Sequence, residues 1–356
     1  MSLPLFLRSA ALVGAAALVL AGCAAAPEAT EDEASESDFC ARMVTNSGGL
    51  EDRSFNQSSW EGLEQASEDF GIDAQVLVSN SETDLGPNVE QAVATGCQFI
   101  LTVGYELAVA TAEQADANPD VDFAIVDEIV DAENVKPIVF DTAQAAYLAG
   151  YLAAGVSKTG VVGTFGGGNQ PPVTLFMDGF FDGVAKYNEV HGTSVAVLGW
   201  DKAQQDQGLF TGDFEDINKG KTFASQLISQ GADVILPVAG QVGEGAAAAA
   251  VDAGNVSVIW VDNDGYDTLP EEYRPVLLTS VLKNTGDAVV EVVESSMDDS
   301  FDNTPFVGTL ENGGVDIAPF HDLASSVSDE LSAEIDQLRE DIISGAIEVT
   351  SPSTPQ

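Results

Sequence analysis

Basic residues are scarce in this chain: 12 lysines and arginines stand against 58 aspartates and glutamates, a formal charge of -46. A surface of that sign repels the phosphates of nucleic acid and anionic lipid head groups, so no nucleic-acid partner is expected. Histidine is scarcer still. His191 and His321 stand far apart in sequence, which argues against a histidine-based zinc centre. A G-x-S-x-G nucleophile elbow is missing, and no cofactor or metal is expected. Long apolar runs are also missing: the run from Ala10 to Leu20 is well short of the roughly 20 residues that span a bilayer.

That short run does fit another purpose. Arg8 precedes it, and Leu20-Ala21-Gly22-Cys23 ends it, the small-residue cleavage pattern of a signal peptide with cysteine at the lipidated position. Residues 1–22 are thus expected to be removed and Cys23 acylated, which holds the protein at the outer face of the cell membrane. From Ala24 to Asp38 the chain reads AAAPEATEDEASESD, acidic and without apolar periodicity. Residues 23–39 are read as a tether, with a reach of about 50 Å when extended.

Cysteine is limited to Cys23, Cys40 and Cys97. The last two each sit at the start of a strand-like run, Ala41 to Thr45 and Gln98 to Val103. In a doubly wound sheet ordered 2-1-3 those strands are neighbours with their starts side by side. A Cys40–Cys97 disulfide is therefore expected in this oxidising compartment, contributing about 4 kcal/mol by chain entropy.

Beyond Ala41, short β-rich runs alternate with helical patterns, the signature of α/β lobes built on mostly parallel sheets. Trp60, Leu63, Ser67 and Phe70 keep helical spacing, Gly71 stops the helix, and Ile72, Ala74, Val76 and Val78 then alternate as a strand. About 310 residues exceed what one core usually serves, so two lobes are expected. A first crossing falls near Asp141, and the tail Ser351–Gln356 is expected to be disordered.

The densest polar cluster, Thr45 to Gln57, lies between the first strand and the first helix, where the loops of an open α/β sheet form a ligand crevice. Asn46 and Asn56 offer paired donors and acceptors and Phe55 a stacking face, while Asp52 or Ser54 is available to cap the helix. The run Asn46 to Gly62, NSGGLEDRSFNQSSWEG, resembles the signature of the basic membrane protein family, lipoproteins that serve as nucleoside-binding subunits of ABC importers. Further likenesses follow in order: FAIVD at Phe123–Asp127, GVVGTFGG from Gly160, NKGK from Asn218, AGQVGEG from Ala239, VDND from Val261, TSVLK from Thr279 and LENGGVDIAP from Leu310.

The resemblance implies a two-lobed, type I periplasmic-binding-protein-like fold with a multi-crossing hinge near Asp141, Gly265 and Phe301. Residues 40–141 and 266–301 would form the first lobe, 142–265 and 302–350 the second. It implies a purine nucleoside held between the lobes and passed to an ABC permease and its ATPase. Phe55 and either Phe176 or Phe214 would sandwich the base, while Asp127, Asp262, Asp264, Lys283 and Gly240 surround the nucleoside. Binding without catalysis by a monomer is the expectation, and a nucleoside-sensing lipoprotein or a nucleoside-cleaving enzyme are the alternatives.

Asn46 departs from the pattern, since many similar proteins carry Asp there. An amide can donate as well as accept, which suits the bare N1 and amino group of adenine. Two competing signals remain. Gly243-x-Gly245-x-x-Ala248, followed by Asp262, superficially fits a dinucleotide fingerprint. Asp262-x-Asp264-Gly265 and Asp213-x-Glu215 look like fragments of calcium loops, but neither completes the spacing.

Overall fold

The computed structural model describes residues 39–355. Cys23, the expected signal segment and the tether up to Asp38 lie outside the described residues. Apolar, β-branched runs bounded by glycine and polar turns supply twelve strands: β1 (Cys40–Val44), β2 (Asp73–Leu77), β3 (Phe99–Val103), β4 (Asp122–Val126), β5 (Val135–Phe140), β6 (Val161–Gly166), β7 (Ala196–Leu198), β8 (Val234–Val238), β9 (Ser257–Asp262), β10 (Leu277–Lys283), β11 (Phe306–Gly308) and β12 (Val315–Ile317).

They form two six-stranded sheets, ordered β11-β5-β4-β3-β1-β2 and β12-β10-β9-β8-β6-β7. Among the described residues only β10 and β12 pair antiparallel. Central strands such as β3 and β8 are buried along their whole length, because helices cover both faces of a parallel sheet and leave no polar side to alternate. β1 lies between β2 and β3, the order that the cysteine argument required. Cys40 and Cys97 are disulfide-bonded, with their Cα atoms 4.9 Å apart.

The crossings between lobes differ from the expectation at two of three places. The chain leaves the first sheet at Asp141, as expected, and the largely buried helix Thr142–Val156 follows in the second lobe. β10, however, runs beside β9 in the second sheet, and β11 returns to the first sheet beside β5. The other crossings therefore fall at Asn284 and along residues 309–314 rather than near Gly265 and Phe301. An apolar strand such as TSVLK carries no signal of which sheet it joins. Gly265 instead opens the one-turn helix Gly265–Thr268, capped by the Asp264 carboxylate. The segment after Phe301 stays with the first lobe, where Asp302 pairs with Lys136 of β5.

Helix Thr285–Met297 returns to the first lobe and packs on helix Phe55–Phe70 with Gly62 against Gly286. A Cβ on Gly62 would stand 2.4 Å from the Gly286 carbonyl oxygen, so this approach requires glycine. The crossing strands are stitched together by backbone bonds from Asp141 N to Gly308 O (2.8 Å) and from Asn284 N to Gly314 O (2.9 Å).

The carboxyl tail also departs from the expectation of disorder. Residues 351–355 lie on the second lobe, where the Ser351 hydroxyl donates to Asp178 at 2.6 Å and the Ser353 hydroxyl meets that of Thr174 at 2.8 Å. Composition suggested a loose end; the acceptor that holds it is the buried Asp178, far away in sequence.

Candidate functional site: a cavity between two lobes

The carboxyl ends of strands from both sheets face one another across a cavity of about 570 Å³. The volume suits a small organic ligand. Eight of the residues singled out from sequence line it: Asn46, Phe55, Asp127, Phe176, Phe214, Gly240, Asp262 and Lys283. Asn56 and Asp264 do not.

The polar loop after β1 is organised by its own side chains. Buried Asp52 accepts from the backbone N–H groups of Ser54 (3.1 Å), Asn56 (2.8 Å) and Gln57 (3.1 Å), and so caps helix Phe55–Phe70. Burial pushes its pKa up to about 6, against those three bonds and with the help of Asp262 nearby. Asn46 Oδ1 accepts from Gly48 N–H at 3.1 Å and from Asn56 Nδ2 at 2.7 Å. Backbone N–H can only donate, which fixes the amide's orientation: Asn46 offers the cavity its Nδ2 donors and not its oxygen. Asn56, wholly buried, stands behind Asn46 and positions it.

Two aspartates occupy matching places, Asp127 just past β4 and Asp262 at the end of β9. Both have left-handed backbone, with φ of 65° and 67°, which turns their side chains at the strand end toward the cleft. Lys283, at the end of β10 and 3% exposed, forms an ion pair with Asp127 across the lobes. Its ammonium sits 4.6 Å from the centre of the Phe55 ring and 5.4 Å from that of Phe140. Burial holds the Asp127 carboxyl above its ordinary range despite the ammonium beside it. Asp262 accepts a hydrogen bond from the Ser54 hydroxyl.

The aromatics separate by exposure. Phe176 is 2% exposed and belongs to the core, with only an edge at the cavity, whereas Phe55 and Phe214 are half-buried with part of each ring uncovered. Phe214 packs over Gly167, where a Cβ would come within 2.3 Å of its ring.

Asp264 has other work. It accepts from Tyr266 N–H at 3.0 Å and pairs with His321 Nε2 at 2.6 Å, while the His321 ring stacks on Tyr266 with centroids 4.1 Å apart. Its place one residue beyond Asn263 sends it away from the cleft that Asp262 faces. Gly243 and Gly245 also serve packing and not a phosphate: a Cβ on Gly245 would meet the Ile217 carbonyl oxygen at 2.0 Å, and one on Gly243 the Trp260 ring at 2.9 Å. Among the described residues no group of three or more His, Cys, Asp or Glu is placed to hold a metal. Asp213, one of the calcium-loop fragments, pairs with Lys219 and caps the turn at Glu215 and Asp216.

Further contacts join the lobes around the rim. Arg53 donates to Thr268 O at 2.9 Å and lies 3.4 Å from Glu244, and Asn263 Nδ2 donates to Ser54 O at 3.1 Å. Sequence reading missed Tyr105 and Glu106, which also line the cavity. The rule that drew attention to Asn46, a polar loop at the carboxyl end of a strand, applies equally to the residues after β3.

Two doubly wound lobes around a cleft, joined by three crossings, define the class of two-lobed solute-binding folds. An ABC transporter solute-binding protein of Aeropyrum pernix K1 superposes with a TM-score of 0.78 at 23% identity, over 89% of this chain and 94% of that one. The sequence itself goes further. Residues 40–353 match the family described as ABC transporter substrate-binding protein PnrA-like, and the chain belongs to that family. It is 30% identical over 359 residues to the ABC transporter nucleoside-binding protein BmpA of Lactococcus lactis subsp. cremoris, covering 96% of this chain and 97% of the relative. Basic membrane protein A of Borreliella burgdorferi is 30% identical over 314 residues, 85% of this chain and 86% of that protein.

Proposed function

We propose that this substrate-binding protein captures a purine nucleoside outside the cell, holds it between its lobes without chemical change, and presents it to an ABC permease. The observation that carries the reading is the Lys283–Asp127 pair under the Phe55 ring, with Asp262 facing it from the second sheet. Neighbouring ribose hydroxyls are both donors and acceptors, and carboxylates with an ammonium satisfy them in both senses. The aromatic ring beside that cluster suits a base, whose stacking contributes about 1–3 kcal/mol per ring. Phe214 is the partner ring that its exposure favours over Phe176. The name of the Lactococcus relative points the same way.

Closure is a hinge motion about the three crossings, in which the ligand favours the closed population. Lipid on Cys23 keeps this monomeric receptor at the membrane; Cys23→Ala is expected to release it into the soluble fraction.

Mass spectrometry of small molecules released by denaturing the purified protein tests the central reading. A nucleoside is expected, and a sugar or peptide in its place would overturn the proposal. Chromatography after incubation with nucleoside is expected to show no free base.

A further inference from the structure

Glu106 is an enclosed carboxylate for which the ribose-facing groups leave no role. It lies in the short turn Tyr105–Leu107 after β3, on the same rim as Asn46. Its Oε2 is shut off from bulk solvent and has no hydrogen-bond donor. Burial and the charge of Asp127 hold the carboxyl above its ordinary range, while the Asn46 amide beside it works in the other direction.

The backbone is shaped to admit this pair. Gly104 has φ of 115°, and a Cβ there would stand 2.6 Å from Glu106 Oε2 and 3.2 Å from Asn46 Nδ2. Any larger residue would push both groups out of the corner. Asn46 cannot supply the acceptor itself, because Gly48 and Asn56 occupy its oxygen. The corner thus offers one kind of group from each residue, N–H from Asn46 and a bare oxygen from Glu106. A buried acceptor without a donor is costly, and a ligand that supplies an N–H removes that cost.

We propose that Glu106 is the base-reading residue of this site: its Oε2 accepts the N–H on the six-membered edge of a purine, and Asn46 Nδ2 donates to the acceptor next to it. The ligand class is then purine nucleosides with an N–H on that edge, either the ring N–H of 6-oxopurines or the amino group of a 6-aminopurine. Adenine preference does not follow from Asn46 alone, since an adjacent donor and acceptor occur on both kinds of base. This inference rests on the nucleoside reading and specifies it.

Calorimetry with inosine, adenosine and purine riboside tests it, the last having no N–H on that edge. The wild-type protein is expected to bind the better of inosine and adenosine at least about tenfold more tightly than purine riboside, as loss of a hydrogen bond to a charged group implies. In Glu106→Ala, checked for an intact melting transition, the ratio is expected to shrink to within about threefold. Glu106→Gln, which keeps an acceptor, is expected to fall between them. Should the alanine variant not fold, the wild-type series still decides. Equal wild-type affinity for all three ligands overturns the role of Glu106 and leaves the nucleoside reading standing, as does discrimination that survives in Glu106→Ala. Binding of none of the three overturns both.

Discussion

The two lobes repeat one plan and furnish it differently. In each, the third strand counted from the β11 or β12 edge leads into an aspartate with left-handed backbone, Asp127 just past β4 and Asp262 at the end of β9. Asp127 is tied to an ammonium, while Asp262 receives a hydroxyl. Around them the first lobe contributes Asn46, Asp52 and Glu106, and the second contributes Lys283 and Gln170 together with glycine turns at 167, 168 and 240 and the Phe214 ring. The first lobe is also stapled by its disulfide, and among the described residues the second has no cysteine. The contrast divides recognition between the lobes: the stapled first lobe carries Asn46, Phe55 and Asp127, and the second answers with Asp262, Lys283 and Phe214, set beside glycine turns that let backbone approach a ligand closely.

The largest effect expected from this contrast is at Lys283. Lys283→Ala leaves Asp127 buried and unpaired, a loss of about 3–5 kcal/mol, and calorimetry is expected to show nucleoside binding abolished. Asp262→Asn keeps a group that can accept from Ser54 and is expected to weaken binding less; equal losses would erase the distinction between the aspartates. Removing the staple in Cys40→Ser/Cys97→Ser is expected to lower stability by about 4 kcal/mol with little change in affinity, read by denaturant unfolding with and without ligand. A large fall in affinity would mean that the disulfide shapes the site and not merely the lobe.

Asp52 gives the comparison a pH signature. Its folded pKa of about 6 is raised above the unfolded value, so the folded state holds the proton more tightly. The group's stabilising share is present below about pH 4 and is lost as pH rises to about 6, an amount of about 3 kcal/mol. Asp52→Asn is expected to lose that slope, so that the difference between wild-type and variant stability changes over the same pH window; a slope that persists in the variant would assign it elsewhere. Ring removal follows. Phe55→Ala and Phe214→Ala should each cost about 1–3 kcal/mol of binding, more for Phe55 because Lys283 also rests against it. Phe176→Ala, in the core, is expected to lower the melting temperature more than the affinity. Smallest is Glu244→Gln at the rim, where a partly exposed pair contributes about 0.2–1 kcal/mol; a slightly faster ligand release in stopped-flow is the expected sign.

Local residues made much of this legible. The alternation after Ile72, the stop at Gly71 and the starts at Cys40 and Cys97 gave strand, helix end and sheet order, because each is decided by neighbours in sequence. The placement of β10 and β11 was not legible, since two sheets of like composition compete for the same apolar strand. Asp262 and Asp264 show the same limit at finer scale. Both sit in VDND, and only the backbone turn at the end of β9 decides which carboxylate meets the cavity and which meets His321. Glu106 escaped notice because no motif surrounds it and its significance lies in what surrounds its oxygen.

The disulfide at Cys40 has a mechanical consequence. Tension applied to the chain ahead of Phe39 enters the molecule at the first residue of β1, an interior strand of its sheet. There the covalent link to Cys97, just ahead of β3, shares the pull between two neighbouring strands, so the force must shear both at once and cannot peel one hydrogen bond at a time. The second lobe, joined to the first by the three crossings and the contacts across the cleft, lies outside that path.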